Sequence, residues 1–285
     1  MHLLYQNLTE EQADTFGLVL AASGIFYHTD RKGSGWRIQV RKADAENALS
    51  IMRKHLAESQ SGEPEEDAES LPRKTYAGVW ISILLIAAYV AEALLDGPPH
   101  ASRSFGSSAS RIMDGQYYRT ITSLFLHANA GHLAGNIIGM ALFGTAACRT
   151  AGWGAGFLII LLSGGIGNLM NAFLYKAGHV SIGASTSVFG SIGFLSGFSF
   201  LDKSRQPGGR RRAWLSIGGG LALLAFLGSG EQTDVMAHLC GFSAGILFAA
   251  PYSIWGGFLK RKAVQVMCMV FTVAIIGVSW LQGVF

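Results

Sequence analysis

The chain has 285 residues, half of them hydrophobic and only 14% charged, with a formal net charge of +4. Soluble proteins usually have about a quarter charged residues, so this composition argues against an entirely soluble protein. The acidic residues lie mostly in residues 1–75, and the long apolar runs follow them. We therefore predict a small soluble α+β domain followed by an all-α polytopic membrane protein.

The first 57 residues predict a small cytosolic α+β domain. Its predicted elements are, in chain order, a helix over 9–22, a strand over 25–28, a turn over 32–35, a strand over 36–40 and a helix capped by Asp44. Thr9–Gln12 has the form of a capping box, which marks the start of the first helix. No catalytic constellation is visible, so we expect an interaction or regulatory module whose partner is unknown. Residues 58–75, rich in Glu, Ser and Gly, predict an acidic flexible linker.

Seven segments are long and apolar enough, or nearly so, to cross the hydrocarbon core, which takes about 20 helical residues. They are roughly 76–95, 132–148, 153–174, 183–201, 213–229, 235–255 and 264–284. Backbone groups have no water partner in lipid, so these segments are expected to be helices. The first six predict a membrane core over 76–255, and residues 256–285 add a C-terminal transmembrane helix.

The basic residues predict the orientation of these helices. Eleven lysines and arginines flank one set of helix ends and four flank the other. Because cytoplasmic flanks carry the excess, we predict a cytosolic N-terminus and an outside C-terminus in a plasma (inner) membrane. Topology thus explains the basic residues, and no nucleic acid partner is expected. The connection 97–131 lies outside in this topology, and its apolar residues predict that it lies in the membrane interface.

Four polar residues fall at similar depth near the outer ends of three predicted helices. Ser185 opens the fourth span, His238 lies about one turn into the sixth, and His132 and Asn136 occupy one face of the second. Polar groups in lipid are costly, so they should face the bundle interior or a water-filled cavity. Each residue alone has a structural interpretation, as a helix cap, an interhelical hydrogen bond or a loop anchor. Their common depth favours a shared site.

Together these side chains have the parts of a hydrolytic site. Serine becomes a good nucleophile when a base such as neutral histidine takes its proton. The oxyanion formed by attack on a carbonyl needs hydrogen-bond donors, which His132 and Asn136 can supply. No acid is visibly placed to orient His238, so a Ser–His dyad is predicted rather than a triad. Three cysteines in apolar runs indicate neither a disulfide framework nor a metal site, and no cofactor is expected.

Small residues predict close contact between the helices that carry Ser185 and His238. The fourth span contains Gly193 and Gly197, and the sixth contains Gly241 and Gly245, each pair in GxxxG spacing. Such spacing is typical of tightly packed membrane helices.

With these residues, the region 76–255 resembles the rhomboid intramembrane serine proteases. The resemblance is carried by Gly183-Ala-Ser185, by Ala237-His238-x-x-Gly241-x-x-x-Gly245, by His132-x-x-x-Asn136, and by Tyr118-Arg119 followed by His127. It implies that Ser185 is the nucleophile, that His238 is the general base, and that His132 and Asn136 stabilise the oxyanion. Phe189, Arg119, Gly183 and Gly241 would support the site. The implied substrates are single-pass membrane proteins, cut near the outer face without metal or cofactor.

Three positions depart from the pattern of that family. Thr186 stands where glycine usually follows the serine, and its branched side chain would narrow the site or shift the loop. Tyr118 replaces a usual tryptophan, and Phe189 replaces a frequent tyrosine while keeping the ring. Thr186 favours the main alternative, a catalytically silent relative that binds membrane clients. A transporter is a second alternative, but it predicts polar residues through the whole bundle depth and repeated halves, and neither is found.

Overall fold

The computed structural model describes residues 1–33, 35–60, 75–95, 98–175, 178–228 and 233–284. The chain divides into two units, Met1–Pro72 and Arg73–Phe285. Most of the predicted linker, residues 61–74, lies outside the described residues, as does Ser34 of the predicted turn.

The first unit is a three-stranded antiparallel sheet with two helices. Its elements are β1 (His2–Leu8), α1 (Glu10–Ala22), β2 (Tyr27–Lys32), β3 (Gly35–Val40) and α2 (Ala45–Gln60), and the strand order is β1-β3-β2. The predicted capping box is present, because Thr9 Oγ1 accepts from the Gln12 N–H at 3.2 Å and Gln12 Oε1 from the Thr9 N–H at 3.0 Å. Leu20, Ile38 and Met52 are fully buried in its core.

Two strands of this unit differ from the prediction. β1 was not predicted, because only Leu8 at its end is buried and its pairing with β3 is irregular, so the residues do not alternate cleanly. β2 lies over Tyr27–Lys32 rather than 25–28. Its polar residues fit an edge strand, where Asp30 forms an ion pair with Arg37 directly across on β3.

The second unit is helical. Its helices are α3 (Ala77–Leu95), α4 (Pro98–Phe105), α5 (Ala109–Met113), α6 (Arg119–Thr122), α7 (Ala130–Gly139), α8 (Thr145–Ala151), α9 (Trp153–Tyr175), α10 (Ser185–Ser204), α11 (Arg210–Leu227), α12 (Val235–Leu259) and α13 (Lys262–Val284). A π-helical turn, Met140–Gly144, joins α7 to α8, so the two form one span. Two short strands, β4 (Ser107–Ser108) and β5 (Val180–Ser181), pair antiparallel.

Among the described residues, five helices are long and apolar enough to cross a membrane. They are α3, the span Ala130–Ala151, α9, α12 and α13, which correspond to the first, second, third, sixth and seventh predicted spans. The other two predicted segments form α10 and α11, of similar length. Serines and glycines in α10 and three arginines at the start of α11 lower their hydropathy. That α10 and α11 also cross the membrane stays a prediction.

Helix α10 lies at the centre of this unit, between α9, α11 and α12. It meets α12 at glycines, as the GxxxG spacing predicts. A Cβ atom on Gly193 would collide with the Phe242 carbonyl, and one on Gly245 with the Gly190 carbonyl. The two backbones therefore touch directly, and this contact fixes the position of α12 relative to the start of α10.

Candidate active site

The first turn of α10 and the first turn of α12 bring Ser185 and His238 together. His238 Nε2 lies 2.9 Å from Ser185 Oγ. His238 Nδ1 lies 3.3 Å from the carbonyl oxygen of Gly228, which can only accept, so Nδ1 carries the hydrogen. In this tautomer Nε2 presents a lone pair to the serine hydroxyl, which is the arrangement that a general base requires.

The ring of Phe189, on α10, packs against the imidazole ring of His238. It lies one turn after Ser185, and its centroid is 4.5 Å from that of the His238 ring, with an angle of 33° between the planes. Phe189 is 4% exposed and His238 is also 4% exposed. The phenyl ring therefore restricts the tilt of the imidazole without offering it a hydrogen bond.

His132 and Asn136 lie on the other side of Ser185, on α7. Asn129 caps this helix by accepting from the His132 N–H at 2.9 Å. The buried Asn136 Nδ2 has no hydrogen-bond partner among the described residues. Gly183, two residues before Ser185, faces both side chains, because a Cβ there would lie 2.6 Å from His132 Nε2 and 3.3 Å from Asn136 Nδ2. Its φ of +116° also favours glycine.

All four residues line one cavity of about 1020 Å³. Ile138 of α7 and Leu223 of α11 contribute to its apolar walls. The polar groups are concentrated at the ends of α7, α10 and α12, while the apolar walls extend along α7 and α11. Such a space can take an extended peptide segment whose carbonyl reaches Ser185.

A polar cluster next to the site was not anticipated from the sequence. Asp234, the N-cap of α12, accepts from the Ala237 N–H at 2.9 Å and from Asn171 Nδ2 of α9 at 2.7 Å. His179 Nε2 also donates to it. Burial alone raises the pKa of Asp234, but these hydrogen bonds outweigh it and the net pKa lies below 3.8. The carboxylate anchors α12 one turn before His238 and makes no hydrogen bond to it.

Thr186 lies away from the cavity. Its side chain is buried between α9 and α12, where Oγ1 donates to Asn168 Oδ1 at 3.0 Å. Asn168 Nδ2 in turn donates to the Thr120 carbonyl at 2.9 Å. Space for the threonine comes from Gly167 and Gly241, where an added Cβ would lie 2.7 and 2.9 Å from Thr186 Cγ2. The branched side chain therefore does not narrow the space in front of Ser185, contrary to the expectation from the sequence.

Arg119 stays outside the cavity and organises the segment between α3 and α7. Its side chain is 2% exposed, and its Nε donates to Gln116 Oε1 at 2.7 Å. One terminal nitrogen donates to the carbonyls of Arg103 and Gly106. The Tyr118 ring covers the guanidinium at 5.4 Å.

His127 ends the same segment and contacts His132 directly. Its ring is fully buried, and its centroid lies 5.2 Å from that of His132. Burial, followed by repulsion from His132, lowers the pKa of His127 to about 4, so the ring is neutral at pH 7. The Gly183 N–H donates to the Ser123 carbonyl at 2.9 Å, which ties this segment to the residues before Ser185.

The fold and the site define a polytopic helical membrane protein with a serine–histidine pair at adjoining helix ends. A family model described as "Rhomboid domain" matches residues 114–255. The chain is 30% identical over 139 residues to "Putative rhomboid protease YdcA" of Bacillus subtilis, which covers 48% of this chain and 68% of that protein. It is 27% identical over 187 residues to "Rhomboid-like protease 3" of Toxoplasma gondii, covering 61% and 68%.

The chain belongs to the rhomboid family. It is also 33% identical over 169 residues to "Inactive rhomboid protein 1" of Homo sapiens, which covers 57% of this chain and only 19% of that protein. Its relatives thus include proteins named as proteases and proteins named as inactive. Membership of the family alone therefore does not determine whether this chain is an active protease.

Proposed function

We propose that this protein is an intramembrane serine endopeptidase that uses a Ser185–His238 dyad. The observation that carries the proposal is the 2.9 Å contact between His238 Nε2 and Ser185 Oγ, with the Gly228 carbonyl fixing the tautomer. A serine that only capped its own helix would not need a buried imidazole aligned on its hydroxyl. The named proteases among its relatives support the same activity.

In the proposed reaction, His238 Nε2 takes the hydroxyl proton as Ser185 Oγ attacks a peptide carbonyl. The tetrahedral intermediate then collapses, and the imidazolium donates its proton to the leaving amine. A water molecule attacks the resulting ester through the same base and releases the new carboxylate. Every step uses side chains and water, so no metal or cofactor is required.

The unpartnered Asn136 Nδ2 supplies a donor for the oxyanion. The ring of His132, which faces Gly183 together with Asn136, supplies a second donor. The backbone N–H of Ser185, at the start of α10, supplies a third. Removing one such donor from a serine hydrolase typically costs about 100- to 1000-fold in turnover. Asn136 is therefore expected to affect the chemical step rather than binding.

The shape of the cavity supports a transmembrane protein as the substrate. Its apolar walls on α7 and α11 suit a segment that enters from the lipid, and we place the entrance beside α11. With the N-terminus in the cytosol and the C-terminus outside, the dyad lies near the outer face of a plasma membrane. We further propose four parts for the chain: a cytosolic domain (1–57), a linker (58–75), the rhomboid core (76–255) and an added helix (256–285).

The alternative is a silent relative that binds membrane clients, and the similarity to a protein named as inactive favours it. In the sequence, Thr186 was the residue that favoured a catalytically silent protein. Because its side chain packs against Gly167 and hydrogen-bonds to Asn168, it leaves the serine accessible to the cavity. The geometry therefore supports an active enzyme over the silent alternative.

The test is covalent labelling of the full-length protein in detergent with a fluorophosphonate probe. We expect wild type to label and both Ser185→Ala and His238→Ala to lose labelling. Ser199→Ala is the matched control, because Ser199 lies on the same helix and bonds to Ser216 on α11. Absence of labelling in folded wild type, or labelling that survives in Ser185→Ala, would overturn the proposal.

A further inference from the structure

A second cavity, of about 460 Å³, is lined by residues of α3, α4 and α13 and by none of α11. Helix α3 contributes Leu84, Ala88 and Glu92, and the added helix α13 contributes Ile276 and Trp280. Phe105 of α4 and Phe125 complete an aromatic wall, with centroids 4.8 and 6.4 Å from that of Trp280. Its volume lies within the range of roughly 300–1,000 Å³ that is typical of ligand sites.

Two polar residues, Glu92 and the exposed His100, line this cavity, and Glu92 is the one whose side chain is buried. Its side chain is 6% exposed, and neither carboxylate oxygen has a hydrogen-bond partner of ordinary geometry among the described residues. The backbone N–H of His127 is at most a weak donor to this carboxyl, outside that geometry. An ionised carboxylate that is buried without such a partner is costly, so this side chain must either take up a proton or receive a partner from outside the chain.

The chemistry of the missing partner follows from the two unfilled acceptors and the apolar wall. An ionised carboxylate only accepts hydrogen bonds, and a primary ammonium offers three donors and the opposite charge. Glu92 lies three residues before the end of α3, about 4.5 Å along the axis, so a headgroup at the membrane interface can reach it. An acyl chain would then lie along Ile276 and Trp280.

We propose that this cavity is a binding site for an aminophospholipid of the surrounding bilayer, held by its primary ammonium on Glu92 and by an acyl chain between α3 and α13. The site lies outside the serine–histidine cavity and includes no residue of the proposed dyad. It gives α13, which lies beyond the Rhomboid-domain match, a role in building the site.

The experiment is native mass spectrometry of the full-length protein, in the Ser185→Ala background, after incubation with phosphatidylethanolamine, phosphatidylcholine or phosphatidylglycerol. Phosphatidylcholine is the matched probe, because its quaternary ammonium keeps the charge and lacks hydrogen-bond donors. We expect one bound phosphatidylethanolamine with at least tenfold preference over phosphatidylcholine. Because the readout is lipid retention, the result does not depend on protease activity.

Three variants define the site. Glu92→Gln keeps the shape and should abolish the preference for phosphatidylethanolamine, while Ala88→Phe fills the cavity and should lose retention of every lipid. Glu46→Gln, an exposed position on α2, should behave as wild type. Equal retention of the first two lipids by wild type, or an unchanged preference in Glu92→Gln, would overturn the proposal. A preference for phosphatidylglycerol would also overturn it, since that would mean that a protonated carboxyl binds phosphate.

Discussion

The two cavities of the helical unit accommodate polar groups in different ways. Between α10 and α12 the backbones touch at glycines, and the polar side chains either have partners or face the cavity at the helix ends. At the cavity between α3 and α13, Trp280 of α13 packs against Phe105 of α4 and against Phe125, and Glu92 of α3 is buried without a partner of ordinary geometry among the described residues. Close helix packing thus positions the serine and histidine, whereas bulky side chains leave space that an external molecule can fill.

Gly245→Ala should produce the largest effect, because the new Cβ would meet backbone atoms, with Gly190 C and Phe194 N both at 2.8 Å. Overpacking typically costs about 1–3 kcal/mol, and obstruction by backbone should bring the loss of unfolding free energy to about 4 kcal/mol or prevent folding. Gly277→Ala on α13 is the matched control, because nothing lies within 4 Å of its added Cβ.

Denaturant titration of the purified variants measures both changes. Gly277→Ala should be neutral or stabilise by up to about 1 kcal/mol, the helix propensity difference between the two residues. Equal stability of the two variants would show that the backbone contact between α10 and α12 does not contribute to the free energy of unfolding.

Gln265→Ala should have the next largest effect, on the α13 side. Gln265 Oε1 accepts from the Gly154 N–H at 2.6 Å and so caps α9 from another helix, while Nε2 donates to the Ala151 and Leu259 carbonyls. Leaving these buried groups unpaired should cost about 3 kcal/mol. Gln282→Ala, exposed on the same helix, should stay within about 0.5 kcal/mol of wild type in the same titration. A small effect at Gln265 would mean that water replaces the cap.

His127 makes the stability of the helical unit depend on pH. Its pKa is about 4 in the folded chain and about 6.5 when exposed, so between these values the unfolded chain binds a proton that the folded chain excludes. The unfolding free energy should therefore fall as pH drops from 6.5 to 4, by up to about 3 kcal/mol. Asp234, with its lowered pKa, loses its contribution only below this window.

Unfolding of His127→Gln at several pH values isolates this contribution. Relative to wild type, the variant should show a shallower loss of stability between pH 6.5 and pH 4. His55→Gln on α2 should keep the wild-type slope. An unchanged slope in His127→Gln would assign the acid sensitivity to other groups.

The smallest effect is expected from Thr186→Gly, which tests whether the family departure next to Ser185 matters. It removes the hydrogen bond to Asn168 and should cost about 1 kcal/mol of stability. Because the threonine lies outside the cavity, fluorophosphonate labelling should stay within about twofold of wild type. A gain of tenfold or more would show that Thr186 restrains the serine after all.

The residues at the site could be predicted from the sequence because lipid makes polar side chains costly. Ser185, His238, His132 and Asn136 therefore stand out in apolar runs, and helical spacing gives their depth. The contact of α10 with α12 followed from the GxxxG pairs in the same way.

The remaining features depend on contacts between distant parts of the chain, which no local pattern reveals. Gln265 caps α9, which begins more than a hundred residues earlier in the chain. Asp234 accepts hydrogen bonds from His179 and Asn171. Strand β1 lacked alternation, since only Leu8 is buried. Glu92 falls within the first predicted span, but its cavity depends on where α13 lies.

The measurement that tests the central claim most directly is the position of the covalent adduct, mapped by peptide mass spectrometry after fluorophosphonate treatment. We predict a single adduct on Ser185, formed at least about 100-fold more slowly in His238→Ala because the base is lost. An adduct on any other serine, or one that forms at the same rate without His238, would contradict the proposed dyad.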